Sequence, residues 1–337
     1  MTDHRKIPVP DQPETPEGES LFERANGRFD FDSLIAKPTT FPERPVRRGA
    51  SMAPVVRSSP TTSASIAPAP VAPVADHVQS TPAEPAPEPA RFSTTFHPVD
   101  REHLREQGLI VPEGAVTELL EEFRIVKRQL LVQAADLRRQ KAGPMAQRVL
   151  ISSPHPGEGK TYCALNLALS IAAERESEVL LVDADFAKPS ILSGLGLPGG
   201  PGLMDALMDD SIDVADCVLG TDIPGLWVLP AGDTTAHDSE YLSSSRTARI
   251  LDRLTQGAPN RMVVFDSPPA LAASPAAELA KYVGQTVVIV RADRTGRGAL
   301  DDTISLLNAC PNVQLLLNAA QFSPSGRRFG SYYGYKG

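Results

Sequence analysis

Between the apolar run Arg148–Ser152 and a helical pattern that starts at Lys160 lies Ser153-Pro-His-Pro-Gly-Glu-Gly-Lys-Thr161. A strand that turns through glycines into a helix opening on Lys-Thr is the setting of a phosphate cradle. Gly157 and Gly159 let backbone N–H groups converge, and the helix adds the positive end of its dipole. Lys160 would reach the β- and γ-phosphates of a nucleotide, and the Thr161 hydroxyl would ligate Mg²⁺. Glu158, inside the loop, and Tyr162, just beyond it, complete the candidate nucleotide-binding set. The strict pattern has Gly where this chain has Pro154, so the loop is a variant. The competing reading is a glycine-rich turn that binds nothing.

The flanking pattern supports the nucleotide. Apolar runs at Val179–Asp183, Leu226–Leu229, Met262–Asp266, Thr286–Val290 and Gln314–Leu317 read as further strands. Helical patterns lie between them at Lys160–Glu174, Gly202–Met208, Ser243–Gln256, Ala273–Tyr282 and Gly298–Ala309. Alternating strands and helices predict an α/β fold with a mainly parallel sheet flanked by helices. In such sheets ligands sit outside the carboxyl ends of the strands. Asp183, Asp185 and Asp266 all stand at such ends, where a carboxylate serves Mg²⁺ directly or through water. Each alone also suits a helix cap. Asn318 closes the last strand and either reads adenine through its amide or caps a turn.

Composition sets the boundaries. The chain has 337 residues, and 17 of its 32 prolines fall within residues 1–100. Residues 1–98 are Pro/Ala-rich and cannot bury enough apolar surface to offset chain ordering, so they read as a disordered region and linker. Within them, Ser20-Leu-Phe-Glu-Arg-Ala25 is either a docking helix or a solvated turn. Residues 99–322 form the phosphate-loop domain and 323–337 a mobile tail. No apolar run is long enough to cross a membrane and no signal peptide is visible. Three widely spaced cysteines fit a reducing cytoplasm. A net charge of −8 with no block of like charges argues against nucleic acid as a partner.

Two segments remain. Residues 116–140 predict one long helix with Leu119, Leu120, Phe123, Val126, Leu130 and Leu131 on its apolar stripe. Its charged residues form either a solvated face or an interface. The tail carries Tyr332, Tyr333 and Tyr335 among glycines. At ~3.3 Å per residue, the chain from Asn318 to Tyr332 extends ~45 Å, enough to reach a neighbouring subunit.

Together these motifs resemble the bacterial tyrosine kinases of polysaccharide co-polymerase systems. Residues 153–161 match the family's Walker A motif, Leu180–Asp185 its Walker A′, and Phe265–Pro269 its Walker B. Within the family the chain is most similar to the separate cytoplasmic autokinases of exosortase-linked exopolysaccharide clusters. The resemblance implies a P-loop fold of the MinD/ParA kind and autophosphorylation with MgATP. It further implies that Lys160, Asp183 and Asp185 are catalytic, that Thr161, Asp185 and Asp266 organise Mg²⁺, and that Tyr332, Tyr333 and Tyr335 accept phosphate. The family's Glu-x-x-Arg-x-x-Arg oligomerisation motif falls on Glu121, Arg124 and Lys127 of the 116–140 helix, with Lys in the last place. Lys keeps the charge but loses the planar fork of Arg, and Arg128 is the residue that would share its role. A membrane chain-length determinant is the implied activator, holding the chain at the cytoplasmic side of the inner membrane. The rival readings are a MinD/ParA-like switch ATPase and an ATP-binding adaptor without turnover. The ATPase reading is weakened by His155, which stands where those proteins carry a lysine.

Overall fold

The computed structural model describes residues 90–320 except Arg175. The expectations for Ser20–Ala25 and for Tyr332, Tyr333 and Tyr335 concern residues outside that range.

In chain order the elements begin with β1 (Phe96–His97), α1 (Arg101–Glu106) and α2 (Glu118–Arg139). Then come β2 (Arg148–Ser152), α3 (Lys160–Ala172), β3 (Glu178–Asp183), α4 (Ile191–Leu195) and α5 (Leu203–Met208). A hairpin of β4 (Leu219–Thr221) and β5 (Leu226–Leu229) precedes α6 (Asp238–Leu242), α7 (Ser245–Thr255) and β6 (Arg261–Asp266). The chain continues through α8 (Pro275–Leu279), β7 (Gln285–Arg291), α9 (Arg297–Leu306) and β8 (Val313–Asn318).

The strands form one sheet in the order β1-β4-β5-β3-β6-β2-β7-β8. Every pairing is parallel except β4 with β5. The expected α/β class with a mainly parallel sheet is therefore what the structure shows. Side chains alternate across the sheet with period two. Val149 and Ile151 of β2 pack towards α2 and α3, while Leu150 packs with Leu203, Leu251 and Leu254 on the other face. Both faces are covered, which is why the central strands are apolar throughout.

Four elements escaped the sequence reading: β1, β4, α4 and α6. All are five residues or fewer, too short for a periodic pattern to declare itself. The packed chain also begins upstream of residue 99. Residues 90–98 run along the β4 edge, with β1 paired to β4 and Phe92 set edge-on to Trp227 at 5.4 Å.

Two helix starts are explained locally. Thr117 caps α2 by accepting from Leu120 N–H at 3.2 Å. The N-cap of α3 is Gly159 at φ +94°, with Gly157 at φ +78° just before it. Both are left-handed conformations that glycine adopts without steric cost.

Candidate active site

Sheet register brings the site together. Asp183 of β3 stands beside Asp266 of β6, and Asp266 stands beside Ile151 of β2, two residues before the loop. Parallel neighbours lie ~4.8 Å apart, so two carboxylates and the phosphate loop share one end of the sheet. The third carboxylate arrives on the loop after β3: Asp185 Oδ2 accepts from Lys160 Nζ at 2.6 Å. Lys160 Nζ also lies 3.4 Å from the Thr161 hydroxyl. Lys160, Thr161, Asp183, Asp185 and Asp266 thus lie together at this end of the sheet.

The three carboxylates have different surroundings. Asp266 is fully buried, and neither of its oxygens has a hydrogen-bond partner among the described residues. Burial pushes its pKa up to about 7, against the pull of the Lys160 charge. Asp183 is 1% exposed, and its Oδ2 accepts from the N–H groups of Ser190 and Ile191 at 2.9 and 3.0 Å. Its Oδ1 has one longer contact, from Asp185 N–H at 3.3 Å. Burial raises the Asp183 pKa, and these backbone donors oppose the rise. Asp185 is held by Lys160 and accepts on Oδ1 from Lys188 N–H at 3.2 Å.

This oxygen set fits a hard divalent cation. The two unpartnered oxygens of Asp266, the Thr161 hydroxyl and Asp185 are the donors that Mg²⁺ prefers. Among the described residues no three or more His, Cys, Asp or Glu side chains form a metal cage. Mg²⁺ held by one or two carboxylates and phosphate oxygens needs none.

Glu158 is 4% exposed and bonded elsewhere than to Lys160: its Oε2 accepts from His155 N–H at 2.9 Å and its Oε1 from the Thr295 hydroxyl at 2.5 Å. The Tyr162 hydroxyl donates to the Gly108 carbonyl at 2.8 Å, tying the start of α3 to the chain after α1, and burial raises its pKa. Asn318 Nδ2 donates to the Glu158 carbonyl at 2.9 Å, and its Oδ1 accepts from Ala319 N–H at 2.9 Å. Both ends of that amide are engaged on the loop and the turn.

On α2, Glu121 and Arg124 pair with each other at the surface. Lys127 does not join them. It is 6% exposed, bonds the Ser170 carbonyl at 3.1 Å and pairs with Glu174 at 2.8 Å. Arg128 is exposed and lines a groove with Arg124, Ile125 and Val132.

Sequence reasoning missed Arg291 and Thr295, which reach the loop from the end of β7. Arg291 Nη1 donates to the Gly157 carbonyl at 2.8 Å, and Thr295 bonds Glu158. The available signal was the one that flagged the aspartates, a polar residue at the carboxyl end of an apolar strand.

Comparison with known proteins bears on the same domain. No family model matches the chain. It is 33% identical over 189 residues to a protein described as putative tyrosine-protein kinase EpsB of Ralstonia nicotianae, covering 55% of this chain and 24% of that protein. It is 29% identical over 219 residues to tyrosine-protein kinase YwqD of Bacillus subtilis, covering 64% of this chain and 86% of that protein. Over this part of its length the chain is similar in sequence to bacterial tyrosine kinases. The match spans less than a quarter of the length of several curated relatives in that family. The kinase domain of the Escherichia coli tyrosine kinase ETK superposes with a TM-score of 0.52 at 19% identity, covering 68% of this chain and 98% of that one. That likeness is one of fold.

Proposed function

We propose that this chain is an ATP-dependent protein-tyrosine autokinase, transferring the γ-phosphate of MgATP to Tyr332, Tyr333 and Tyr335 of its own tail. The observation that carries the reading is the convergence of Asp183, Asp185 and Asp266 on Lys160 and Thr161, in a chain homologous to tyrosine kinases. MgATP would divide the Lys160–Asp185 pair, the ammonium going to phosphate oxygens and the carboxylate to the cation. Thr161 and Asp266 would complete the protein's oxygen donors. The cation supplies charge neutralisation at the transferring phosphoryl group.

Asp183 is the group that orients the acceptor hydroxyl. Oδ2 is held by two N–H groups, so Oδ1 is the freer oxygen for that task. Burial raises its basicity, yet a phenol near pKa ~10 remains far from a carboxylate. Phosphoryl transfer runs through a loose transition state in which positioning and charge dominate. Asp183 therefore takes the proton late, once the phenol oxygen has begun to bond phosphorus. Asn318 would read adenine only after its amide leaves the Glu158 carbonyl.

The finer reading rests on the sequence resemblance. The kinase would regulate exopolysaccharide chain length and export in an exosortase-linked system. It would assemble through the 116–140 helix and respond to a membrane chain-length determinant at the cytoplasmic side of the inner membrane. Each phosphotyrosine adds ~−1.5 to −2 charge, so a fully modified tail adds about −5. That charge would drive tails out of neighbouring acidic sites and loosen the oligomer.

Intact-protein and peptide mass spectrometry after incubation with MgATP tests this. Wild type should gain phosphates on the tail. Lys160→Met and the triple Tyr→Phe variant at 332, 333 and 335 should gain none. Released ADP without phosphotyrosine, with and without the partner's cytoplasmic segment, would favour a switch ATPase.

A further inference from the structure

Glu158 raises a question the reaction does not answer. It is a carboxylate 4% exposed, beside a site that would receive phosphates, and its oxygens bond His155 and Thr295 rather than Lys160. Its partner across the sheet is Thr295, in the turn that follows β7. The Thr295 hydroxyl accepts from Arg291 N–H at 2.9 Å and donates to Glu158 Oε1 at 2.5 Å. One hydroxyl thus links the backbone of that turn to the phosphate loop. Arg291 adds a second link, Nη1 to the Gly157 carbonyl at 2.8 Å. Asn318 at the end of β8 adds a third, Nδ2 to the Glu158 carbonyl at 2.9 Å.

Peptide planarity turns these links into a statement about the opposite side of the loop. In a trans peptide the C=O of one residue and the N–H of the next point in opposite directions. With the Gly157 carbonyl held by Arg291, the Glu158 N–H points away from that guanidinium. With the Glu158 carbonyl held by Asn318, the Gly159 N–H points away from that amide. The Gly159 N–H donates to no atom among the described residues, and the Glu158 N–H closes only a loose turn, outside hydrogen-bond geometry. Backbone that is left-handed at Gly157 and Gly159 is of the kind that forms an anion-binding concavity. Glycines at those two positions supply freedom as well as fit, and a free loop would point its N–H groups in many directions. The outside contacts remove that freedom.

We propose that Thr295 is a positioning residue of the phosphate loop. Through Glu158, and together with Arg291, it holds the loop from outside so that its N–H groups stay turned towards the phosphates. The brace spans the sheet from β2 to β7, so the end of β7 sets the geometry of the nucleotide site. The inference rests on the loop binding nucleotide phosphates, as the proposed function requires. It adds a residue that reaches the loop through Glu158.

Calorimetric titration of the full-length chain with MgADP tests the brace independently of phosphotyrosine formation. Thr295→Val keeps the shape and removes the hydroxyl. It should weaken MgADP binding by about tenfold, the factor that ~1.4 kcal/mol represents. Thr295→Ser restores the hydroxyl and should return affinity to within about twofold of wild type, which a packing role for the methyl group would not produce. Arg291→Ala should weaken binding in the same direction. A Thr295→Val protein that binds MgADP like wild type would overturn the proposal, as would Ser and Val variants weakened equally. Wild type that binds MgADP but forms no phosphotyrosine would sink the kinase reading and leave the brace to be judged on these affinities. Wild type that binds no nucleotide would sink both.

Discussion

Asp266 is the residue whose placement has the clearest physical consequence. Its folded pKa of about 7 stands above the ~3.9 of an unfolded aspartate. The folded chain therefore binds the extra proton between those values. This contribution to stability is fully present below about pH 4 and is lost as pH rises through about 7. Asp266→Asn removes a buried charge that has no hydrogen-bond partner among the described residues. The variant should gain thermal stability over wild type in nucleotide-free protein, and the gain should widen from pH 4 to pH 8. Thermal unfolding at the two pH values checks this, and an equal gap at both would contradict it. The same variant should lose phosphotransfer, because the oxygens that make the apo protein unstable are those proposed to meet Mg²⁺. Stability and function pull in opposite directions at this one side chain.

At the scale of the element, α2 shows how a three-residue spacing behaves on a helix. Each step of three turns the side chain about 60° short of a full turn, so Glu121 and Lys127 end about 120° apart. That drift carries Lys127 off the surface and onto α3, where it meets Ser170 and Glu174. Arg128, seven residues after Glu121, returns to within about 20° of it. Lys127→Ala should therefore cost about 1–2 kcal/mol of stability through the lost charged hydrogen bonds. Thermal unfolding measures that cost. The double change Arg124→Ala, Arg128→Ala should leave stability near wild type and reduce oligomer mass in light scattering. A Lys127→Ala protein of normal stability but smaller mass would instead put Lys127 at the interface.

For the whole molecule, the edge opposite β8 is closed by the segment that enters the domain. Ala90 N–H bonds the Gln256 carbonyl at 3.3 Å, and Val99 N–H bonds Asp222 at 2.9 Å. Between these points Phe92 and Phe96 pack on Trp227, and the Arg261 guanidinium lies 4.0 Å over the Phe92 ring. Trp227 is the only tryptophan in the chain, so its emission reports this contact alone. A chain starting at residue 99 should show red-shifted tryptophan emission and a melting temperature roughly 5–10 °C below a chain starting at residue 90. That range follows from ~2–3 kcal/mol of aromatic contact in a domain of this size. Equal spectra would mean the segment merely lies on the surface.

Local patterns along the chain encode part of this architecture. The apolar strands of the sheet centre, the glycine turn into α3 and the acidic ends of β3 and β6 follow from side-chain period, backbone freedom and the chemistry of neighbours in the chain. Tertiary structure decided what depends on residues far apart. β1 and β4 are strands because each finds a hydrogen-bonding partner on another strand, not because two or three residues prefer to be extended. Asp183 meets Asp266 through a register set more than eighty residues away in sequence. Thr295 reaches Glu158 only because β7 lies beside β2. Composition and spacing do not carry strand order, so the groups that hold the phosphate loop from outside became visible only in the assembled sheet.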